Sequence, residues 1–170
     1  KQAYYLHPLG VIGWLAVSVG EFDWFETPLV KLILSKESKG SFNAYNITNK
    51  HGKPRESHFT PTAQYHISKM TITEIRNAQK TRIGPEGLHL FAVGAVQIIP
   101  NTLEQFLSWL SKYKSINRDI QLFDEEFQRL MPMFFWEEKV SKVASFFRGN
   151  IDAKSAAYAI SMEWASAGGP

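Results

Sequence analysis

The sequence predicts a mainly α domain of the α+β class, with a small β element inserted early. Apolar residues recur at three- and four-residue spacing along most of the chain, which is the period of a helix with one buried face. Threonine, asparagine or aspartate stands ahead of these runs and glycine or proline follows them. The least helical stretch, residues 41–60, "SFNAYNITNKHGKPRESHFT", is polar and holds a turn cluster at Asn49 to Pro54 between short β-capable runs, as a hairpin or irregular lobe would. With 170 residues, 44% of them hydrophobic and 14% aromatic, the chain can bury one sizeable core, so residues 1–170 are read as a single domain.

Taken in order, the opening "KQAYYLHPLGVIGWLAVSVGEFDWF" has an apolar run from Leu9 to Val19 that is too short to span a bilayer and is interrupted by Gly10 and Gly13. It lacks the basic flank and cleavage site of a signal peptide, so it is read as core packing. The start on Lys1 and the close on "SAGGP" fit a piece of a longer protein. Thr27-Pro28 is an N-cap followed by proline at the first helical position, Val30, Ile33, Leu34 and Glu37 continue at helical spacing, and Gly40 stops the run. After the polar lobe, "TITE" at Thr71 has the capping-box spacing to Glu74 and opens a helix to about Lys80.

The Gly84–Gly87 turn leads to "LHLFAVGAVQIIP", an apolar run broken by Gly94 and closed by Pro100. Asn101 is read as the cap of "NTLEQFLSWLSKY", whose Leu103, Phe106, Leu107 and Leu110 share one face. Helices are expected near Asp124 to Leu130 and Glu138 to Arg148, and Asp152 caps a last one rich in small residues. The clusters Asp124-Glu125-Glu126 and Glu137-Glu138 are read as helix starts, where carboxylates complement the dipole. Phe134-Phe135-Trp136, Phe146 and Phe147 are read as core; exposure of these rings would instead mark a partner surface.

Composition excludes some chemistry. There is no cysteine, hence no disulfide, thiolate metal site or thiol catalysis. His7, His51, His58, His66 and His89 have no metal-ligand spacing, so neither a metal nor a cofactor is expected. The net charge of +3 and pI near 9.1 suit an anionic polymer, but the lysines and arginines are scattered rather than striped, which argues against nucleic acid.

Glu37 raises the central question. It continues the apolar stripe of Val30, Ile33 and Leu34, so its side chain should turn toward the interior. It also stands at the carboxyl end of the helix, where the dipole disfavours a negative charge. Both effects favour the protonated carboxyl, the form that a general acid needs to protonate a glycosidic oxygen. The competing reading is a surface glutamate paired with Lys36 or Lys39.

Other residues tip this balance. "ES" ahead of "FNAYN", then Gly94, Gln97, Pro100 and Thr102 in "AVGAVQIIPNTL", resemble the lysozyme-like superfamily, in which a glutamate ends a helix and a Gly-x-x-Gln-x-x-Pro-x-Thr segment lines the opposite wall. "ISKMTITEIRNAQK", "LFDEEFQRLM" and "AAYAISMEWAS" extend the resemblance, in order, to the muramidase and transglycosylase domains of phage endolysins and bacterial effectors, over roughly residues 28–167. Ala95 and Val96 depart from the basic and aromatic pair of many phage-type relatives and are nearer the small-apolar pattern of lytic transglycosylases.

The resemblance implies a lysozyme-like fold with a small β-hairpin lobe after the catalytic helix, Glu37 as general acid, and Tyr45, Asn46, Gln97 and Thr102 as sugar contacts. Tyr45 as core filler is the alternative. Glu56, across the predicted lobe, is the nearest candidate for a second carboxylate, against a solvated turn residue beside Arg55. The implied substrate is the glycan strand of peptidoglycan, cut by hydrolysis or by lytic transglycosylation, in the periplasm or outside the cell. An inactive wall-binding module is the rival class. A monomer without stable membrane insertion is expected, with an immunity protein as partner if the chain is an effector.

Overall fold

The structure is a computed structural model that describes residues 24–164, so the expectation for Leu9 to Val19 lies outside the described residues. It has a mixed α+β fold: several helices and one small three-stranded antiparallel sheet. Helix α1 (Pro28–Glu37) begins where Thr27 Oγ1 accepts from Val30 N, and a short 3-10 turn, Trp24–Glu26, precedes it. Strands β1 (Tyr45–Thr48) and β2 (Pro54–His58) form the predicted hairpin. Helix α2 (Ile72–Lys80) opens with the full capping box between Thr71 and Glu74.

Strand β3 (His89–Val93) comes from the apolar run before Pro100 and pairs with β1, giving the order β2-β1-β3. Every residue of β2 is exposed except His58, because β2 is an edge strand with no layer over it, and Pro54 opens it. At the other edge α2 packs on β3, and Gln79 Nε2 donates to Phe91 O at 2.7 Å.

Helix α3 (Pro100–Leu110) buries Leu103, Phe106, Leu107 and Leu110 as expected, and Trp109 with them. Its N-cap is Ile99, not Asn101. Pro100 takes the first helical position, where a missing N–H costs nothing, and this outweighs the capping preference of asparagine one residue later. Helices α4 (Glu125–Gln128) and α5 (Met131–Phe134) follow, with Asp124 Oδ1 accepting from Phe127 N.

The expected helix from Glu138 is replaced by a π-helical turn, Phe135–Lys139, closed by Val140 N donating to Phe135 O, and α6 (Ser141–Phe147) starts only afterwards. Glu137 and Glu138 therefore sit in the π turn. The wide turn lets three consecutive rings be buried at once: Phe134 meets Phe106, while Phe135 and Trp136 meet Trp164. Phe146 and Phe147 are exposed rather than core, on the outer side of α6. Helix α7 (Ala153–Glu163) is capped by Asp152 and packs on α6.

A cap contributes about 1 kcal/mol, and a fully buried ring such as Phe106 or Phe123 about 2 kcal/mol. Caps therefore decide where helices begin, and the shared core of α3, α4, α5 and the sheet holds them together. No described helix is long and apolar enough to cross a membrane.

Candidate active site

The end of α1 is built to stop at Glu37. Ser38 N and Gly40 N both donate to Leu34 O, each at 3.1 Å, and the buried Ser38 hydroxyl donates to the same oxygen. Lys39 and Gly40 take positive φ of 53° and 79°, which turns the chain out of the helix and toward β1. Glu37 is left half-buried in the last turn, facing a groove of about 290 Å3.

Three further walls complete that groove. From the sheet come Asn46 of β1 and Phe91 and Ala92 of β3. The β1–β3 register slips between Tyr45 and Ile47, and Asn46 Oδ1 bridges the gap by accepting from Ala92 N at 3.1 Å. From the loop after β3 come Val96, Gln97, Ile98 and Ile99, and from the helices Thr102, Phe135, Glu163 and Trp164.

The Gly94–Gln97 segment is a tight loop. Val93 and Ile98 exchange backbone bonds across it, and Gln97 sits at φ 52°, a left-handed conformation that costs a non-glycine residue about 1 kcal/mol. Gln97 N and Nε2 both donate to Gly94 O, at 3.1 and 2.9 Å, so the side-chain amide is pre-positioned with its oxygen available as an acceptor. Buried Gln128 braces the loop: its Oε1 accepts from Ala95 N, and its Nε2 donates to Phe42 O and Phe123 O. Trp164 Nε1 donates to Val96 O on the other side.

Four of the sequence-predicted residues, Glu37, Asn46, Gln97 and Thr102, thus line one groove. Thr102 is almost wholly buried and its hydroxyl accepts from Lys139 Nζ at 2.8 Å, so it shapes the wall and anchors a cation. Tyr45 does not line the groove. Its ring is 2% exposed, stacked on His58 and edge-on to Tyr65, with its hydroxyl 2.7 Å from Thr62 Oγ1, so core filler is the role it has here. Glu56 is also elsewhere: it stands on the outer strand, its side chain 62% exposed, 3.3 Å from His58 Nε2 but out of hydrogen-bonding alignment.

Glu163 is the carboxylate that sequence reasoning missed. It lines the groove with a side chain 23% exposed, 3.3 Å from Lys139 Nζ. The signal was available, because Glu163 continues the buried face of Ala156 and Ile160 just as Glu37 continues that of α1.

Away from the groove, burial pushes the Glu137 carboxyl above its ordinary value, more than Arg148 and the Trp109 bond pull it down. Burial also acts to raise Glu104, but the bonds and charges of Arg76 and Arg118 outweigh it and hold Glu104 low. Among the described residues no group of three or more His, Asp or Glu side chains is arranged to hold a metal ion.

The arrangement sets two half-buried carboxyls, Glu37 and the Lys139-paired Glu163, against an amide pair on a partly apolar wall, which suits a polar ligand with faces of both kinds. Compared with protein-family models, with curated proteins and with solved structures, the chain matches none.

Proposed function

We propose that this chain is a lysozyme-like muramidase that cuts the glycan strands of peptidoglycan between N-acetylmuramic acid and N-acetylglucosamine. The reading is supported by one observation above the others: Glu37, Asn46, Gln97 and Thr102, which come from four separate elements, share a single groove.

In this mechanism Glu37 gives its proton to the bridging oxygen as the C1–O bond breaks, and water adds to C1 of the oxocarbenium-like sugar while passing a proton back to the Glu37 carboxylate. Asn46 and Gln97 hold the sugar's amide and hydroxyl groups, and the apolar wall of Phe91 and Ile98 excludes competing water. The enzyme would act in the periplasm or outside the cell, and an immunity protein, if the chain is an effector, would occlude the groove.

Lytic transglycosylation is the second reading, and the positions of the carboxylates favour keeping it. Glu56 lies off the groove and Glu163 is engaged with Lys139, so the 6-hydroxyl of the muramic residue takes the place of water and leaves a 1,6-anhydro end.

Mass spectrometry of digested sacculi tests both. The wild type should release muropeptides with reducing ends, and Glu37→Gln should lower release by at least about 100-fold while leaving sacculus binding intact. Anhydro ends would select the second reading. Undiminished release by Glu37→Gln would overturn Glu37 as the acid, and binding without release by the wild type would leave a wall-binding module.

A further inference from the structure

Strand β3 carries the groove onto a second surface. Phe91 lines the groove, and His89, two residues earlier on the same face of the strand, meets the Phe91 ring edge-on with centroids 6.5 Å apart. Beyond His89 lies Arg82, whose Nη1 is 3.3 Å from His89 Nδ1 and 3.4 Å from Gly87 O, to which it donates. Lys50 joins the same turn, its N–H donating to Glu86 O at 3.3 Å. A β-carbon on Gly87 would meet Lys50 Cβ at 3.2 Å and Arg82 Cδ at 3.5 Å, so these two side chains converge over one residue.

The charges here are left uncompensated. Glu86, in this turn, is paired with Arg55. Among the described residues neither Lys50 nor Arg82 has an ion-pair partner, and exposed Lys53 and Lys80 add to the same sign on the hairpin turn and at the end of α2. Like charges gathered on one rim repel each other, and an anion held between them relieves that repulsion. The groove itself is different: among the described residues no lysine or arginine lines it, so nothing in its walls attracts an anion. A ligand that satisfies both regions is neutral along its backbone and carries anionic branches. Arginine in particular offers a planar fork that matches a carboxylate.

We propose that Lys50 and Arg82 form a subsite for the carboxylates of the peptide stems on muramic acid, reached along His89 and Phe91 from the strand in the groove. This rests on the muramidase reading of the groove and deepens it, since the subsite selects stem-bearing peptidoglycan over the same glycan without peptides. Recognition is electrostatic and exposed, so it weakens as salt rises.

The test uses Glu37→Gln protein, expected to bind without turnover, and calorimetric titration with two soluble ligands: a stem-bearing muropeptide tetrasaccharide and the same tetrasaccharide with its peptides removed by an amidase and the lactyl carboxylates so freed converted to primary amides. The expected result is about 10-fold tighter binding of the stem-bearing ligand at low salt, with that preference abolished by adding Lys50→Gln and Arg82→Gln and the affinity for the stripped ligand unchanged. Equal affinity for the two ligands, no binding of either, or equal weakening of both by the added substitutions overturns the subsite. So does equally effective competition by polyglycerol phosphate, which would mean that the rim reads charge alone. Circular dichroism confirms that these surface variants are folded. The muramidase reading stands or falls separately, on whether the wild type releases muropeptides and Glu37→Gln does not.

Discussion

Gly94→Ala isolates what holds the Gln97 loop in place. Gly94 has φ 76°, where a β-carbon costs about 1 kcal/mol. The added carbon would also lie 2.4 Å from Gln128 Oε1 and 2.7 Å from Phe123 Cε1. Neither neighbour yields easily, since both are fully buried and the Gln128 amide is fixed by bonds to Ala95, Phe42 and Phe123. Overpacking of this kind costs about 1–3 kcal/mol, and losing one buried bond of Gln128 about 1 kcal/mol more. The total is about 3–5 kcal/mol, a large part of a domain's stability.

Gly40→Ala is the control. Gly40 has nearly the same φ, 79°, but nothing lies within 4 Å of its missing β-carbon, so only the backbone cost of about 1 kcal/mol applies. Thermal unfolding followed by circular dichroism should place Gly94→Ala well below Gly40→Ala, with Tm losses of about 10 °C and about 3 °C. Equal losses would refute the claim that the Gln128–Phe123 wall is rigid. Because that wall positions Ala95 and Gln97, Gly94→Ala should also lose muropeptide release at temperatures where it is still folded.

Two further outcomes are expected. Glu137 has a folded pKa above its ordinary value because of burial, so its ionised form penalises folding above the folded pKa, and the penalty vanishes below the ordinary 4.5. Glu137→Gln should therefore raise Tm at pH 7, by less than about 1 kcal/mol of stability, and make no difference near about pH 4; an unchanged or lower Tm at pH 7 would contradict this. Tyr45→Phe should cost about 1 kcal/mol through the lost Thr62 bond and leave muropeptide release unaltered, whereas a tenfold loss of release with stability intact would return Tyr45 to the sugar contacts.

The sequence was most legible where the cause of structure is local. Thr27, Thr71, Asp124 and Asp152 each bond a backbone N–H within three residues, so their caps could be read from spacing alone. The π turn could not, because it arises from the need to bury Phe134 toward α3 and Phe135 and Trp136 toward Trp164, partners far along the chain. The same holds for the site. That Glu37 turns inward could be read from its own helix, but the placement of Glu163 in the groove, and of Glu56 outside it, depends on how α7 and the sheet pack. Tyr45 lies off the groove because β1 alternates its faces, and in this register its ring falls on the core side while the Asn46 side chain falls on the groove.

The two outer strands of the sheet differ in how they would meet another polypeptide. Along β3 the Gln79 amide already occupies Phe91 O, and α2 covers that side. Along β2 no described element covers the backbone, yet Pro54 lacks the N–H that a fourth strand would need and the charged Arg55 and Glu56 would have to be stripped of water to admit one. A sheet this small therefore resists growing by cross-β addition at its β2 edge, so copies that meet there do not zip together strand to strand.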